Sequence, residues 1–141
     1  MVKVVVDTNV LVSATLFGGN PEKIMDLARE GKIKLIISEE ILGEFKEVLK
    51  RKFGFSPDYA ELTASDIKEI SSLVIPTQKV DVVKEEADNR ILECGIEGKV
   101  QYIISGDKRH LLPLKEFKGI KIVSPAQFLE ILSQESSPGS F

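Results

Sequence analysis

The stretch Val2-Lys3-Val4-Val5-Val6-Asp7-Thr8-Asn9 begins as a β-branched run and ends in three polar residues. Apart from Lys3 the run is apolar on both faces, the pattern of a strand covered on both sides in a parallel sheet. Asp7 stands just past its end. In an open parallel sheet, ligands bind beyond the carboxyl ends of the strands, where the strand order reverses. An acid at that position is a candidate site residue and, taken alone, equally a turn or cap residue.

The segments that follow repeat the same grammar. Leu16 to Pro21 reads as a loop, with Asn20 as N-cap and Pro21 at the first helical position. Ile24, Leu27 and Ala28 then mark an apolar helix face that ends at Gly31. Ile33–Ile37 reads as a second strand. Ser38 is a good N-cap after it, and Glu39 and Glu40 suit the positive end of the helix dipole. Ile41, Leu42, Phe45, Val48 and Leu49 recur at helical spacing. At about 100° per residue, Glu44 falls on the flank of that stripe, where a carboxylate can reach a cleft while its helix packs on the sheet.

Asp58 to about Ser72 reads as one or two helices, and Leu73–Ile75 as the start of a short strand that Pro76 places at an edge. Val83–Ile96 reads as a helix with Asp88 near its opening and with Gly95 and Gly98 marking its end, and Gln101–Ser105 as a strand tipped by Gly106-Asp107. Lys108–Leu114 has room for a helical turn. Ile120–Val123 is the last strand expected, and Ser124-Pro125 caps a final helix. Residues 134–141 read as a disordered tail after a single domain over residues 1–133. Alternating strands and helices imply an α/β/α sandwich around a parallel sheet with right-handed crossovers.

Composition narrows the class. With 141 residues, 43% hydrophobic and 29% charged, the chain suits one α/β domain. No apolar run approaches a membrane span, and the acidic-ended N-terminal strand does not read as a signal peptide. Cytoplasmic residence is the expectation. Cys94 is the sole cysteine, so no intrachain disulfide forms, and its apolar helical setting marks it as buried. The net charge of −3 runs against the usual basic balance of a nucleic-acid binder. An acidic metal cluster accounts for part of that charge, because bound cations reverse the local sign.

Four acids carry the functional reading: Asp7, Glu44, Asp88 and Asp107. Gathered at one sheet end they repel one another and lose water at a cost, so a divalent cation is their natural partner. A hard divalent cation prefers oxygen ligands and can activate a water molecule against a phosphate ester. Arg90, Lys108 and Arg109 are candidate phosphate contacts. Lys50-Arg51-Lys52 is a second basic cluster, whose simpler role is pairing with a helix dipole. His110 reads as a surface loop residue.

Taken in order, Val4-Val5-Val6-Asp7-Thr8-Asn9-Val10-Leu11, Ser38-Glu39-Glu40-Ile41-Leu42-Gly43-Glu44-Phe45, Asp88-Asn89-Arg90-Ile91-Leu92-Glu93-Cys94 and Tyr102-Ile103-Ile104-Ser105-Gly106-Asp107 resemble the motifs of the PIN-domain nucleases. The likeness runs from about Val2 to Leu132 and leans toward the VapC-like toxins of prokaryotic toxin–antitoxin pairs. It implies a five-stranded parallel sheet in order 3-2-1-4-5 and Mg²⁺- or Mn²⁺-dependent cleavage of single-stranded RNA. It also implies a homodimer and an antitoxin partner. By the same likeness Asp7, Glu44, Asp88 and Asp107 form the acidic metal site, with Thr8, Asn9 and Ser105 as polar support.

Two features depart from that pattern. Glu85 and Glu86 precede Asp88, and either can share its role. Lys108-Arg109-His110 follows Asp107 where many relatives carry a further acid. Two other readings compete: a non-catalytic RNA-binding or scaffold protein on the same fold, and an RNA-processing nuclease with no antitoxin. A haloacid-dehalogenase type of phosphatase needs a second aspartate two residues after the first, and Asn9 stands there. A receiver domain needs an acceptor aspartate after a middle strand, and none follows Val74-Ile75-Pro76.

Overall fold

The structure is a computed structural model and describes residues 1–135. The first strand, β1 (Lys3–Val6), is fully wrapped: Val4, Val5 and Val6 are all buried. It leads directly into α1 (Thr8–Leu16), with Asp7 as the N-cap between them. Helix α2 (Gly19–Arg29) starts earlier than the sequence suggests. Gly18 is its N-cap, with φ at 77°, so Asn20 and Pro21 lie inside the first turn.

Strand β2 (Lys34–Ile37) and helix α3 (Glu39–Phe53) follow as expected. Ser38 caps α3 by accepting the Ile41 N–H at 3.3 Å. Helix α4 (Pro57–Glu69) is a single helix, and the edge strand β3 (Ser71–Leu73) forms two residues earlier than expected. Pairing decides that register: Ser71, Ser72 and Leu73 lie opposite Leu35, Ile36 and Ile37 of β2.

Helix α5 (Glu86–Gly98) starts later than expected and ends at Gly98. It does not start at Val83, because the Val82 and Val83 N–H groups are taken by the buried side chain of Asn89. It runs through Gly95 to Gly98, where the absent side chains are needed. A Cβ on Gly98 would stand 2.6 Å from Ile36 Cγ2, and one on Gly95 would stand 3.0 Å from Ile103 Cδ1. These glycines let α5 lie flat on the sheet.

Strand β4 (Tyr102–Ile104) is followed by a short 3-10 turn at Leu112–Leu114. A two-residue strand, β5 (Glu116–Phe117), then forms a hairpin with β6 (Ile120–Val123). Helix α6 (Pro125–Glu135) closes the described residues. It includes residues 134 and 135, which the sequence assigns to the tail; residues 136–141 lie outside the described residues.

The sheet order is β3-β2-β1-β4-β6-β5. Its first five members are parallel and reproduce the expected 3-2-1-4-5 order. The sixth is the antiparallel edge strand β5, which the sequence pattern does not announce because two residues carry no periodicity. Strand order reverses between β1 and β4, so a crevice opens past Asp7 and Ser105.

Candidate acidic site

The cleft at the reversal point has a volume of about 470 Å³. Asp7, Glu44, Asp88 and Asp107 all line it, as do Thr8 and Asn9. The four acids come from four different elements: the end of β1, the flank of α3, the first turn of α5 and the loop after β4.

Asp7 is the most enclosed of them, at 3% exposure. Its Oδ1 accepts the Val10 N–H at 2.9 Å, which caps α1 and fixes the carboxylate. Its Oδ2 accepts the hydroxyl of Ser105. That same hydroxyl oxygen accepts the Asp107 N–H at 2.9 Å. Ser105, fully buried, thus ties the first acid to the last.

Asp107 is oriented by its own loop. Its carboxylate accepts the Arg109 N–H at 2.9 Å and the Leu111 N–H at 3.3 Å. Glu44 is half-buried on the flank of α3, in line with Val48, Arg51 and Lys52 along the cleft wall.

The electrostatics follow from burial first and from crowding second. Burial raises the carboxyl of Asp7 above the ordinary range; the bonds from Ser105 and Val10 oppose this, and the charge on Asp107 adds to it. Burial also pushes Asp88 up to about 7, helped by a shared hydrogen bond with Asp107 and by the charges of Asp107, Asp7 and Glu85. Burial pulls Asp107 upward as well, but the N–H donors of its loop and the proton shared with Asp88 hold it below the ordinary value. The three aspartates therefore behave as one coupled group short of positive charge.

The donor set is all oxygen, which matches a hard divalent cation. Among the described residues, no three His, Cys, Asp or Glu side chains are already drawn into a set that would hold a metal ion. The carboxylates face one cleft and occupy themselves with Ser105, with backbone N–H groups and with each other.

The basic residues divide in an unforeseen way. Arg109 lines the cleft, while Lys108 lines a neighbouring cavity shared with Asn9 and Ser13. Arg90 turns away from the acids: its guanidinium pairs with Glu86 and Glu93 and donates to the Val80 carbonyl. Arg51, Lys52 and His110 do line the cleft, and among the described residues none of the three has an ion pair. The spacing of Glu44, Val48, Arg51 and Lys52 at i, i+4, i+7 and i+8 is the sequence signal for that shared wall. Of the two acids before Asp88, Glu85 lines the cleft and Glu86 is taken by Arg90.

Asn89 is a positioning residue that the motif reading did not single out. Its Oδ1 accepts the Val82 and Val83 N–H groups at 3.0 and 3.1 Å, and its Nδ2 donates to the Val83 carbonyl at 2.8 Å. It straps the preceding loop onto α5 and so fixes where Asp88 enters the cleft.

Comparison with known proteins agrees with this geometry. An uncharacterized protein of Methanocaldococcus jannaschii is 32% identical over 92% of this chain and 90% of its own length. VapBC2 of Rickettsia felis, solved bound to a DNA fragment from its promoter, superposes with a TM-score of 0.61 at 11% identity, over 85% of this chain and 96% of that one. VapC20 of Mycobacterium tuberculosis, a toxin that cleaves the sarcin–ricin loop, gives 0.56 at 14% identity, over 84% and 98%. At such identities these two likenesses speak for the fold. A family model described as PIN domain matches residues 3–109, which take in all four acid-bearing elements. The fold, the site at the reversal point and this match agree: the chain belongs to the PIN-domain family.

Proposed function

We propose that this protein is a metal-dependent endoribonuclease that cleaves single-stranded RNA. The observation that carries the proposal is the convergence of Asp7, Glu44, Asp88 and Asp107 on one cleft at the strand-order reversal. Asp7 and Asp107 would hold Mg²⁺ or Mn²⁺ directly, with Asp88 and Glu44 completing the set. A bound divalent ion supplies an activated water and offsets the charge that builds on the phosphate. The chain's own residues do the rest. Ser105 and the Val10 N–H hold Asp7 in place, the Asp107 loop aims its carboxylate, and Thr8 and Asn9 line the floor and rim. Arg51, Lys52 and Arg109 stand on the cleft walls with no acid partner, which suits them to RNA phosphates on either side of the cut. To Lys108, which lines the neighbouring cavity, we assign a phosphate further out.

The role we assign within the cell is that of a toxin held in check by an antitoxin, in a homodimer. The fold shared with VapC20 and VapBC2 supports the toxin and antitoxin reading, and the homodimer rests on the resemblance of the sequence motifs alone. The alternative, an RNA-processing nuclease with no antitoxin, uses the same site. Incubating a mixed-sequence single-stranded RNA with wild type and with Asp7→Asn, in Mn²⁺, Mg²⁺ or EDTA, tests the proposal. Cleavage should need the metal and fall at least a hundredfold in the variant. Metal-independent RNA binding that survives Asp7→Asn, with no cleavage, would point instead to a binding module on a PIN fold.

A further inference from the structure

Another cavity, of about 270 Å³, adjoins the acidic cleft. Thr8, Glu44 and Ala87 line both, so these side chains form the partition between them. The remaining walls are Glu40, Ile41, Gly43 and Arg90. The lining combines flat, apolar surface from Ile41, Ala87 and the bare Gly43 with two charged groups. It differs in kind from the acidic cleft.

The charged groups are complementary. Glu40 is exposed and, among the described residues, has no ion pair, whereas its neighbour Glu39 is taken by Lys68. Its carboxylate is a free bidentate acceptor. Arg90 is anchored from behind by Glu93 and the Val80 carbonyl on Nη2 and by Glu86 on Nη1. Of the five N–H donors of a guanidinium, this leaves one on Nη1 for a ligand, since the unpartnered Nε is fully buried. A planar ligand with two adjacent donors beside an acceptor fits this rim. Guanine has that edge, with N1–H and the N2 amino group next to O6, and no other common RNA base offers two adjacent donors. Unstacked bases of single-stranded RNA are read in this way, by apolar contact on the ring face and hydrogen bonds on the edge.

We propose that this cavity is a nucleobase pocket selective for guanine, which seats the base next to the scissile phosphate. Glu40 reads its donor edge, Arg90 reads O6, and Ile41, Gly43 and Ala87 enclose the ring. Its role in choosing the cleavage site rests on the nuclease reading; its capacity to bind a base does not.

Gly43 makes the proposal testable without harming the fold. It lies inside α3 with no left-handed φ, and a Cβ built there meets nothing within 4 Å. A side chain at this position removes a helix-interior glycine, which favours folding, and projects into space that the pocket needs. The experiment is calorimetric titration of GMP, AMP, CMP and UMP into the full chain in EDTA, where no cleavage occurs. It is paired with mapping of cut sites on mixed-sequence RNA in Mn²⁺. Wild type should bind GMP at least tenfold tighter than UMP and cut beside guanine. Gly43→Leu should lose both preferences with no fall in Tm, and Glu40→Gln should lose them with only the small fall that a lost helix-dipole charge brings, while Gly43→Ala should keep the fold and most of the GMP preference. Equal affinity for the four nucleotides, or a guanine preference untouched by Gly43→Leu, would overturn the pocket. A Gly43-dependent preference for GMP in a protein that cuts no RNA would support the pocket and overturn the nuclease reading.

Discussion

Asp7 does three things at once: it ends the first strand, caps α1 and faces the cleft. The cap tolerates asparagine, whose carbonyl oxygen accepts an N–H as well as a carboxylate does. The charge is what the metal-free fold bears at a cost, since burial and the charge on Asp107 both raise the Asp7 carboxyl. Asp7→Asn should therefore raise Tm in EDTA by roughly 3–5 °C, the effect of about 1 kcal/mol in a domain of this size. Calorimetry checks it, and an unchanged or lower Tm would mean that the buried Asp7 carboxylate carries no such cost.

The same residues set a pH dependence. Asp88 has its folded carboxyl at about 7 against an ordinary 3.8, so between these values the folded state holds a proton that the unfolded state has lost. Stability then falls as pH rises through that window. Asp7 acts in the same direction. Asp107, whose carboxyl is lowered, acts oppositely, with its contribution lost only as pH drops below the ordinary carboxylate range. Metal-free Tm should decline between about pH 4 and 7, and Asp88→Asn should flatten that slope. A flat wild-type profile in EDTA would contradict the crowding.

At the scale of elements, packing against the sheet sets limits that local sequence does not. Gly98→Ala would drive a methyl toward the buried Ile36, and overpacking of that kind costs about 1–3 kcal/mol. A net loss of about 1–2 kcal/mol in denaturant unfolding is expected despite the better helix former. The β5–β6 hairpin turns on Lys118 and Gly119, with φ of 49° and 82°. Two positive φ values match a type I′ turn, which favours asparagine before glycine. Lys118→Asn should stabilise by about 0.5–1 kcal/mol, read from the shift of the urea midpoint.

These elements also show what was legible in the sequence. The wrapped strands β1 and β4 and the amphipathic α3 were plain, because burial on both faces, or on one stripe, leaves a periodic trace. The pattern places β3 two residues late and does not mark β5, because both are edge strands of two or three residues that exist through pairing. The late start of α5 was hidden because it depends on a tertiary contact, the Asn89 side chain holding Val82 and Val83. In the site, the four acids could be read from their places at element ends and on a helix flank. The pairing of Arg90 was not legible there, because its partners Glu86 and Glu93 meet it only once α5 is formed. Arg51 and His110 enter the cleft by the path of α3 and of the loop after Asp107, which single-residue reasoning does not supply.

At the scale of the molecule, fold and site depend on one topological fact, the reversal of strand order between β1 and β4. It brings residues 7, 44, 88 and 107 to one cleft from across the chain. Mn²⁺ or Mg²⁺ should then raise Tm in wild type, by more as the ion concentration passes its dissociation constant, and the shift should vanish in an Asp7→Asn, Asp107→Asn double variant. The most direct measurement is the chemistry of the RNA ends after cleavage in Mn²⁺. Attack by a metal-activated water leaves a 5′-phosphate and a 3′-hydroxyl, and a 2′-deoxy substitution at the cut site should not prevent it. Fragments ending in a 2′,3′-cyclic phosphate, or cleavage abolished by the 2′-deoxy substitution, would identify the ribose hydroxyl as the nucleophile and contradict the role assigned to the four acids.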